Sequence, residues 1–133
     1  MNATPLRVLI VDDHPDNARM LRVLLKMEGH DTSIVHDGPA AIAAAHLHQP
    51  DVVLLDLALP GMSGIEVAAE LRRDPERSGC VLVAMTGHGK DSLPSPSPFD
   101  RYFAKPLATG SLLAYLSEVR RRQKPPSWTP AVA

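Results

Sequence analysis

Short apolar runs alternate with stretches of helical periodicity along the chain. The clearest runs are residues 6–11, 52–55 and 81–85, and weaker ones lie at 32–35 and 101–104. Unbroken apolar runs of this length are typical of strands that are buried on both faces, as in a parallel sheet. The pattern therefore predicts five strands, most of them in the protein interior.

Helix signals lie between these runs. Pro15 and Pro39 suit the first turn of a helix, because proline lacks an N–H that would be unpaired there. Ser63 followed by Glu66 forms a capping box, and Gly29 can close the first helix. Apolar residues share one face of the first helix and one face of the last: Ala18, Leu21, Leu24, Leu25, Leu112, Leu116 and Val119.

The alternation of strands and helices predicts an α/β protein with a doubly wound, five-stranded parallel sheet. Parallel crossovers are right-handed, so the helices cover both faces of the sheet. In such folds the chemistry is located outside the carboxyl ends of the strands, where the strand order reverses. Functional side chains are therefore expected at these strand ends.

The segment after the fourth strand departs from this alternation. Residues 86–100 read TGHGKDSLPSPSPFD, and a helix cannot run through their three prolines. We expect the fourth helix to be shortened or replaced by a proline-rich loop over residues 92–99. We also expect one folded domain over residues 1–123 and a disordered tail over residues 124–133.

Composition narrows the classes of function. The 133 residues include 14 basic and 15 acidic side chains and one cysteine. These counts argue against a general nucleic-acid or anionic-membrane binder and exclude a disulfide framework. No apolar stretch reaches the ~18 residues of a membrane span, and the first residues do not form a signal peptide. We expect a soluble cytoplasmic protein with no nucleic acid and no membrane among its partners.

Polar residues follow four of the five runs. Asp12 and Asp13 follow the first run, Asp56 the third, Thr86 the fourth and Lys105 the fifth. Two unit charges ~4 Å apart repel by about 4 kcal/mol at an effective dielectric constant of 20, so three gathered carboxylates require protonation or a cation. Oxygen ligands favour Mg²⁺ over zinc. Such a set suits phosphoryl transfer, with one carboxylate as the nucleophile.

Four motifs occur in order at these strand ends. They are VDD at 11–13, LDLALPGMSG at 55–64, MTG at 85–87 and YFAKP at 102–106. Through them the chain resembles the receiver domain of two-component response regulators, over roughly residues 6–122. The resemblance implies a flavodoxin-like fold with the strand order 2-1-3-4-5.

The resemblance also implies a role for each reacting residue. Asp56 would be the phosphoacceptor, Lys105 would pair with the phosphate, and Thr86 would donate its hydroxyl to it. Tyr102 would move with Thr86 as the switch aromatic residue. The peptide bond before Pro106 would be cis, since such bonds are nearly always found before proline.

A cofactor and partners follow from the same resemblance. Asp12, Asp13 and Asp56, with the backbone carbonyl of Ala58, would coordinate Mg²⁺. The phosphoryl donor would be a histidine kinase or a histidine phosphotransfer protein, and phosphorylation would switch interactions with an unknown downstream protein. The chain would not be an enzyme in the ordinary sense, because it would catalyse only its own phosphorylation and dephosphorylation.

Other functions are weighed against this one. A haloacid-dehalogenase-type phosphatase needs a second aspartate two residues after its nucleophile, and that position is Ala58. A dinucleotide-binding module needs a glycine-rich first turn, which DDHPDN does not supply. A receiver-like docking module that is never phosphorylated would not need the complete set of strand-end residues.

The histidines are interpreted one by one. His14 borders the acidic pair and is interpreted as a solvated loop residue, with an influence on access to the pair as the alternative. His30 and His36 are also interpreted as surface loop residues. His88 lies two positions after Thr86, where an influence on the lifetime of a phosphoaspartate is a hypothesis.

Overall fold

A computed structural model describes residues 5–75, 79–87 and 97–122 of the chain. Strands and helices alternate through these residues up to the fourth strand. The elements are β1 (Arg7–Val11), α1 (Pro15–Met27), β2 (Asp31–Val35), α2 (Gly38–His48), β3 (Val52–Asp56), α3 (Gly64–Arg73), β4 (Val81–Thr86), β5 (Arg101–Ala104) and α4 (Thr109–Arg122).

The five strands form one parallel sheet. Their order is β2-β1-β3-β4-β5, so β1 pairs with both β2 and β3 and the strand order reverses beside it. The predicted fold class and strand order are therefore confirmed. The reversal places the carboxyl ends of β1 and β3 next to each other, where a crevice can form.

Alternate residues of the central strands enter two separate cores. Val8 and Ile10 of β1 pack beneath α1 and α4, whereas Leu9 and Val11 pack beneath α2 and α3. All five residues of β3 are buried. Because successive side chains of a strand point to opposite faces, an unbroken apolar run satisfies both cores at once.

The connection between β4 and β5 contains no helix in its described residues, which are Gly87 and 97–100. Residues 88–96 lie outside the described part of the chain. The expected proline-rich loop over 92–99 is therefore described only at its end, where residues 97–99 are not helical. The predicted tail over 124–133 also lies outside the described residues.

Helix termini are held by local hydrogen bonds. At α3, the Ser63 hydroxyl accepts from the Glu66 backbone N–H at 3.2 Å, and the Ser63 N–H donates to the Glu66 carboxylate at 2.9 Å. This is the predicted capping box. At α2, the Asp37 carboxylate accepts from the Ala40 N–H at 2.8 Å, a cap that the sequence analysis did not identify.

His30 is buried, and its interpretation as a surface loop residue was wrong. Its side chain is 4% exposed, and Nδ1 lies 3.3 Å from the Leu6 backbone N–H, which donates to it. Burial, reinforced by the nearby Arg120 guanidinium, lowers the pKa of His30. His30 thus joins the loop after α1 to the start of β1.

Among the described residues, no helix combines the length and the apolar character that crossing a bilayer requires.

Candidate functional site

Four adjacent strands deliver the polar residues to one edge of the sheet. Asp12 directly follows β1, Asp56 ends β3, Thr86 ends β4, and Lys105 directly follows β5. The strands are parallel neighbours in this order, so their carboxyl ends lie side by side. The structure thus brings together residues that are up to 93 positions apart in the chain, from 12 to 105.

Asp56 lies at the centre of this edge. It is 1% exposed, and its two carboxylate oxygens have different partners. Oδ1 accepts from the Ala58 backbone N–H at 2.9 Å, and Oδ2 lies 2.8 Å from Lys105 Nζ. The side chain of Lys105 is partly exposed. The ammonium group therefore reaches the buried carboxylate from the solvent side.

Three carboxylates and one imidazole gather within ligand reach of one another. One atom each from Asp12, Asp13, His14 and Asp56 lies within 4.8 Å of the others. Asp12 is 1% exposed, and the Oδ1 atom of Asp13 is buried without a hydrogen-bond partner among the described residues. A buried carboxylate oxygen is costly without a compensating group. The donor set and the unpaired oxygen fit a divalent cation such as Mg²⁺.

The loop after Asp56 is held in place by close backbone contacts. The Leu57 N–H donates to the Met85 carbonyl at 3.1 Å, and the Gly64 N–H donates to the Leu57 carbonyl at 3.2 Å. A Cβ at Gly64 would lie 2.5 Å from the Asp56 carbonyl oxygen. Only glycine therefore allows α3 to begin so close to the candidate nucleophile.

Thr86 and Tyr102 lie on neighbouring strands at the same edge. Thr86 is buried, and its carbonyl accepts from the Lys105 N–H at 2.8 Å. Tyr102 is half-buried and is the register partner of Ala84, two residues before Thr86. A cleft of about 310 Å³ is lined by Asp56, Leu57, Ala58, Ile65, Thr86, Gly87 and Lys105. Tyr102 does not line this cleft.

A second cleft of about 430 Å³ opens on the other side of Lys105, against α1. The peptide bond between Lys105 and Pro106, which line this cleft together, is cis. The remaining lining residues are Asp12, Asn17, Met20, Leu21 and Leu107.

Two histidines contact the acidic pair. His14 Nδ1 lies 3.4 Å from Asp12 Oδ1 and 3.2 Å from Asp13 Oδ1. His36 Nδ1 lies 2.9 Å from the Asp12 backbone oxygen. The position of His14 next to two aspartates was the only signal of its contact in the sequence. The contact of His36 had no signal in the sequence, because β2 approaches β1 only in the folded chain. His88 lies outside the described residues.

The response regulator receiver domain family model matches residues 8–117. The chain belongs to this family. Among curated proteins, the DNA-binding response regulator MtrA of Mycolicibacterium smegmatis is 39% identical over 128 residues, which is 96% of this chain and 56% of that protein. The chain thus spans little more than half the length of this relative.

Solved structures agree with the assignment. A CheY-like receiver domain from Methylobacillus flagellatus is 31% identical, with a TM-score of 0.79 over 87% of this chain and 99% of that one. The receiver domain of the sensor histidine kinase PA1611 from Pseudomonas aeruginosa has a TM-score of 0.80 at 24% identity, over 89% of this chain and 99% of that one. The latter shares the fold, and a magnesium ion is coordinated in its active-site cleft.

The comparisons correct one expectation about partners. The prediction that nucleic acid has no place among them was wrong, because the relative MtrA is named a DNA-binding response regulator. The near-neutral charge on which the prediction depended describes only this chain, and the relative is longer. Family membership also removes the phosphatase and dinucleotide-binding alternatives.

Proposed function

We propose that this chain is a phosphoacceptor that takes a phosphoryl group onto Asp56 from a phosphohistidine of a histidine kinase or phosphotransfer protein. One observation carries the proposal: Lys105 Nζ lies 2.8 Å from Oδ2 of the buried Asp56, beside the acidic cluster. A buried carboxylate with a cation and a metal-ligand set at hand suits phosphoryl transfer. Family membership supports the same function.

In the proposed reaction, a carboxylate oxygen of Asp56 attacks phosphorus. The new O–P bond forms as the P–N bond to the donor histidine breaks, and the electron pair of that bond leaves with the imidazole. Hydrolysis later returns the carboxylate and inorganic phosphate. The chain promotes only these changes to itself and is therefore not an enzyme that turns over an external substrate.

Asp12, Asp13 and Asp56, with the Ala58 backbone carbonyl, are the residues we propose to hold Mg²⁺. A bound Mg²⁺ neutralises charge on the carboxylates and on the incoming phosphoryl oxygens. The N–H of Ala58 already bonds Asp56 Oδ1 at 2.9 Å, which leaves Oδ2 toward Lys105. The chain therefore holds the nucleophile in a fixed orientation before the donor arrives.

In this proposal, Lys105 and Thr86 bind the phosphoryl group of phosphorylated Asp56. The Lys105 ammonium leaves the Asp56 carboxylate and binds one phosphoryl oxygen, and the Thr86 hydroxyl donates a hydrogen bond to another. Phosphorylation adds about −1.5 to −2 charges and three acceptor oxygens, enough to favour a second packing of nearby side chains. Tyr102, half-buried on the next strand, is the side chain we propose to respond.

The output of the switch is proposed from the relatives. MtrA is named a DNA-binding response regulator. We therefore propose that phosphorylation of this receiver domain changes protein–protein contacts that control the binding of DNA. A docking module that is never phosphorylated would have the same fold, but substitution of Asp56 would not change its interactions with other proteins.

A gel-shift experiment tests the proposal. The chain is incubated with a small-molecule phosphodonor and MgCl₂, and the phosphorylated form is separated on a Phos-tag gel. We expect a shifted band that is absent with EDTA and absent in Asp56→Asn. The exposed Asp16, on the first turn of α1, supplies the matched control Asp16→Asn, which keeps the shift. Equal labelling of Asp56→Asn would contradict the proposal.

A further inference from the structure

His14 faces the acidic cluster rather than the helix that it precedes. It occupies the N-cap position of α1, yet its side chain makes no capping hydrogen bond. Its backbone N–H donates instead to Asp12 Oδ1 at 2.9 Å, which holds the residue against the cluster. The imidazole is therefore available for a contact on the side of the cluster.

The imidazole and an unpaired carboxylate oxygen lie side by side. Nδ1 of His14 is 3.2 Å from Asp13 Oδ1, but this buried oxygen accepts no hydrogen bond from His14 or from any other residue that the structure describes. The second oxygen near Nδ1 is Asp12 Oδ1, at 3.4 Å. Neighbouring ligands of an octahedral ion with bonds of about 2.1 Å are separated by about 3 Å. Both distances suit neighbouring positions around one shared ion.

We propose that His14 Nδ1 is an additional ligand of the divalent ion at this site. The proposal deepens the proposed function, on which it rests, by naming the class of ion that the site selects. Three carboxylates suit Mg²⁺, whereas an imidazole nitrogen favours the later first-row transition ions such as Co²⁺ and Ni²⁺. The site of this chain consequently binds those ions more tightly than an all-oxygen site would.

An imidazole that coordinates a metal ion is an uncharged ligand. An additional uncharged ligand strengthens the hold on a transition ion without adding to the repulsion among Asp12, Asp13 and Asp56. The His14 side chain is also largely exposed, so it can turn toward an ion without repacking the core. The alternative is a hydrogen bond from His14 to Asp13 that orients the carboxylate and never contacts the ion.

Ion binding to the full chain separates the two roles. Isothermal titration gives the affinities for Mg²⁺ and Co²⁺ in the wild type, in His14→Gln and in the control His48→Gln, whose side chain is exposed in the last turn of α2. Loss of an outer-shell partner already costs roughly 10- to 100-fold in metal affinity, so we expect loss of a direct ligand in His14→Gln to cost at least about tenfold for Co²⁺. We expect little change for Mg²⁺, whereas a His14 that only orients Asp13 would support the binding of both ions equally. His48→Gln keeps both affinities near those of the wild type.

Pulsed electron paramagnetic resonance of the Mn²⁺-loaded chain supplies a direct readout. Coordinated imidazole nitrogen gives a ¹⁴N modulation, which we expect in the wild type and in His48→Gln but not in His14→Gln. Mg²⁺ and Mn²⁺ binding without this modulation, or its survival in His14→Gln, would overturn the inference and leave the proposed function standing. A wild-type chain that binds no divalent ion would refute both.

Discussion

At the amino edge of the sheet, polar side chains bond to backbone groups, whereas at the carboxyl edge they face one another. Asp51 accepts from the Arg7 N–H at 2.8 Å, and Asp100 accepts from the Leu82 N–H at 2.8 Å. At the opposite edge, a buried oxygen of Asp13 has no hydrogen-bond partner within the described part of the chain, and Lys105 reaches across to Asp56.

Within one sheet, the polar side chains of the amino edge therefore serve stability, and those of the carboxyl edge serve function. Backbone N–H groups at the strand starts need acceptors, and a single carboxylate satisfies them at no electrostatic cost. Carboxylates that face one another repel, and such an arrangement persists only because the surrounding fold is rigid. Substitutions of the polar side chains at the two edges should therefore have opposite consequences for stability and for activity.

The largest effect is expected at Gly64, where α3 begins beside the carboxyl edge. In Gly64→Ala, the new Cβ would lie 2.5 Å from the Asp56 carbonyl oxygen and 2.8 Å from the Leu57 Cα atom. Because both contacts are with backbone, we expect a loss of about 3 kcal/mol in the free energy of unfolding, together with weaker phosphorylation. Urea denaturation and the Phos-tag assay measure the two effects.

Gly61→Ala is the control for that variant. A Cβ there meets nothing within 4 Å, although the positive φ of 74° still strains it. We expect a loss near 1 kcal/mol. An equal loss in the two glycine variants would show that the close approach of α3 to Asp56 does not matter.

The next effect is expected at Arg72, which holds the amino edge together. Its guanidinium donates to the carbonyls of Cys80 and Pro98 and to the Asp100 carboxylate, at 2.8, 2.9 and 2.8 Å. We expect Arg72→Ala to lose about 2 kcal/mol of unfolding free energy and to remain phosphorylated. Arg73→Ala, which breaks only an exposed ion pair with Glu70, should lose less than about 1 kcal/mol.

Failure of Arg72→Ala to accept a phosphoryl group, under conditions in which it is folded by circular dichroism, would contradict the separation of the two edges.

A pair of aspartate substitutions tests whether the two edges of the sheet change the free energy of unfolding in opposite directions. We expect Asp13→Asn to raise the free energy of unfolding of the metal-free chain by about 1 kcal/mol, because it relieves repulsion at the carboxyl edge. We expect Asp51→Ala to lower it by about 1 kcal/mol, because the Arg7 N–H loses its acceptor. Only Asp13→Asn should weaken Mg²⁺ binding. Destabilisation by both substitutions would refute the contrast.

The smallest effect is a pH dependence at the amino edge. Burial lowers the pKa of His30 in the folded chain below its usual 6.5, so the unfolded chain binds the additional proton first as the pH falls. The contribution of His30 to stability is therefore complete above pH 6.5 and is lost as the pH falls toward the folded pKa. Thermal unfolding across this range measures the slope.

We expect His30→Gln to flatten that slope and the exposed His48→Gln to leave it unchanged. The groups that face His30 are Arg120, Glu28 and Asp31. Arg120 also donates to the Glu28 carbonyl at 3.1 Å. An undiminished slope in His30→Gln would assign the pH dependence to other groups.

Much of the fold could be predicted from the local pattern of apolar and polar residues in the sequence. The clear apolar runs predicted β1, β3 and β4, because strands buried on both faces show unbroken hydrophobicity. The weaker runs predicted β2 and β5, which are only partly buried. The Ser63–Glu66 capping box was predicted because its two hydrogen bonds lie within one turn of helix. Asp37 was missed as a cap, since an aspartate before Gly-Pro is equally typical of a turn.

The burial of single polar residues was harder to predict from the sequence. His30 was interpreted as a surface loop residue, yet Leu6, directly before β1, supplies an N–H that fits its ring nitrogen. Arg72 carries no signal in the sequence, since its acceptors lie 8 and 26 to 28 residues away. Such partners are chosen by the packing of distant segments.

The sequence by itself determined the alternation of strands and helices and the residue types that follow each strand. These properties depend on interactions between residues that are near each other in the chain. Hydrophobic periodicity and helix-capping residues make such interactions visible in the sequence. Only the tertiary structure decided which of those residues meet. The Lys105–Asp56 contact spans 49 residues, and it exists because the strand order places β4 between β3 and β5 and aligns their ends.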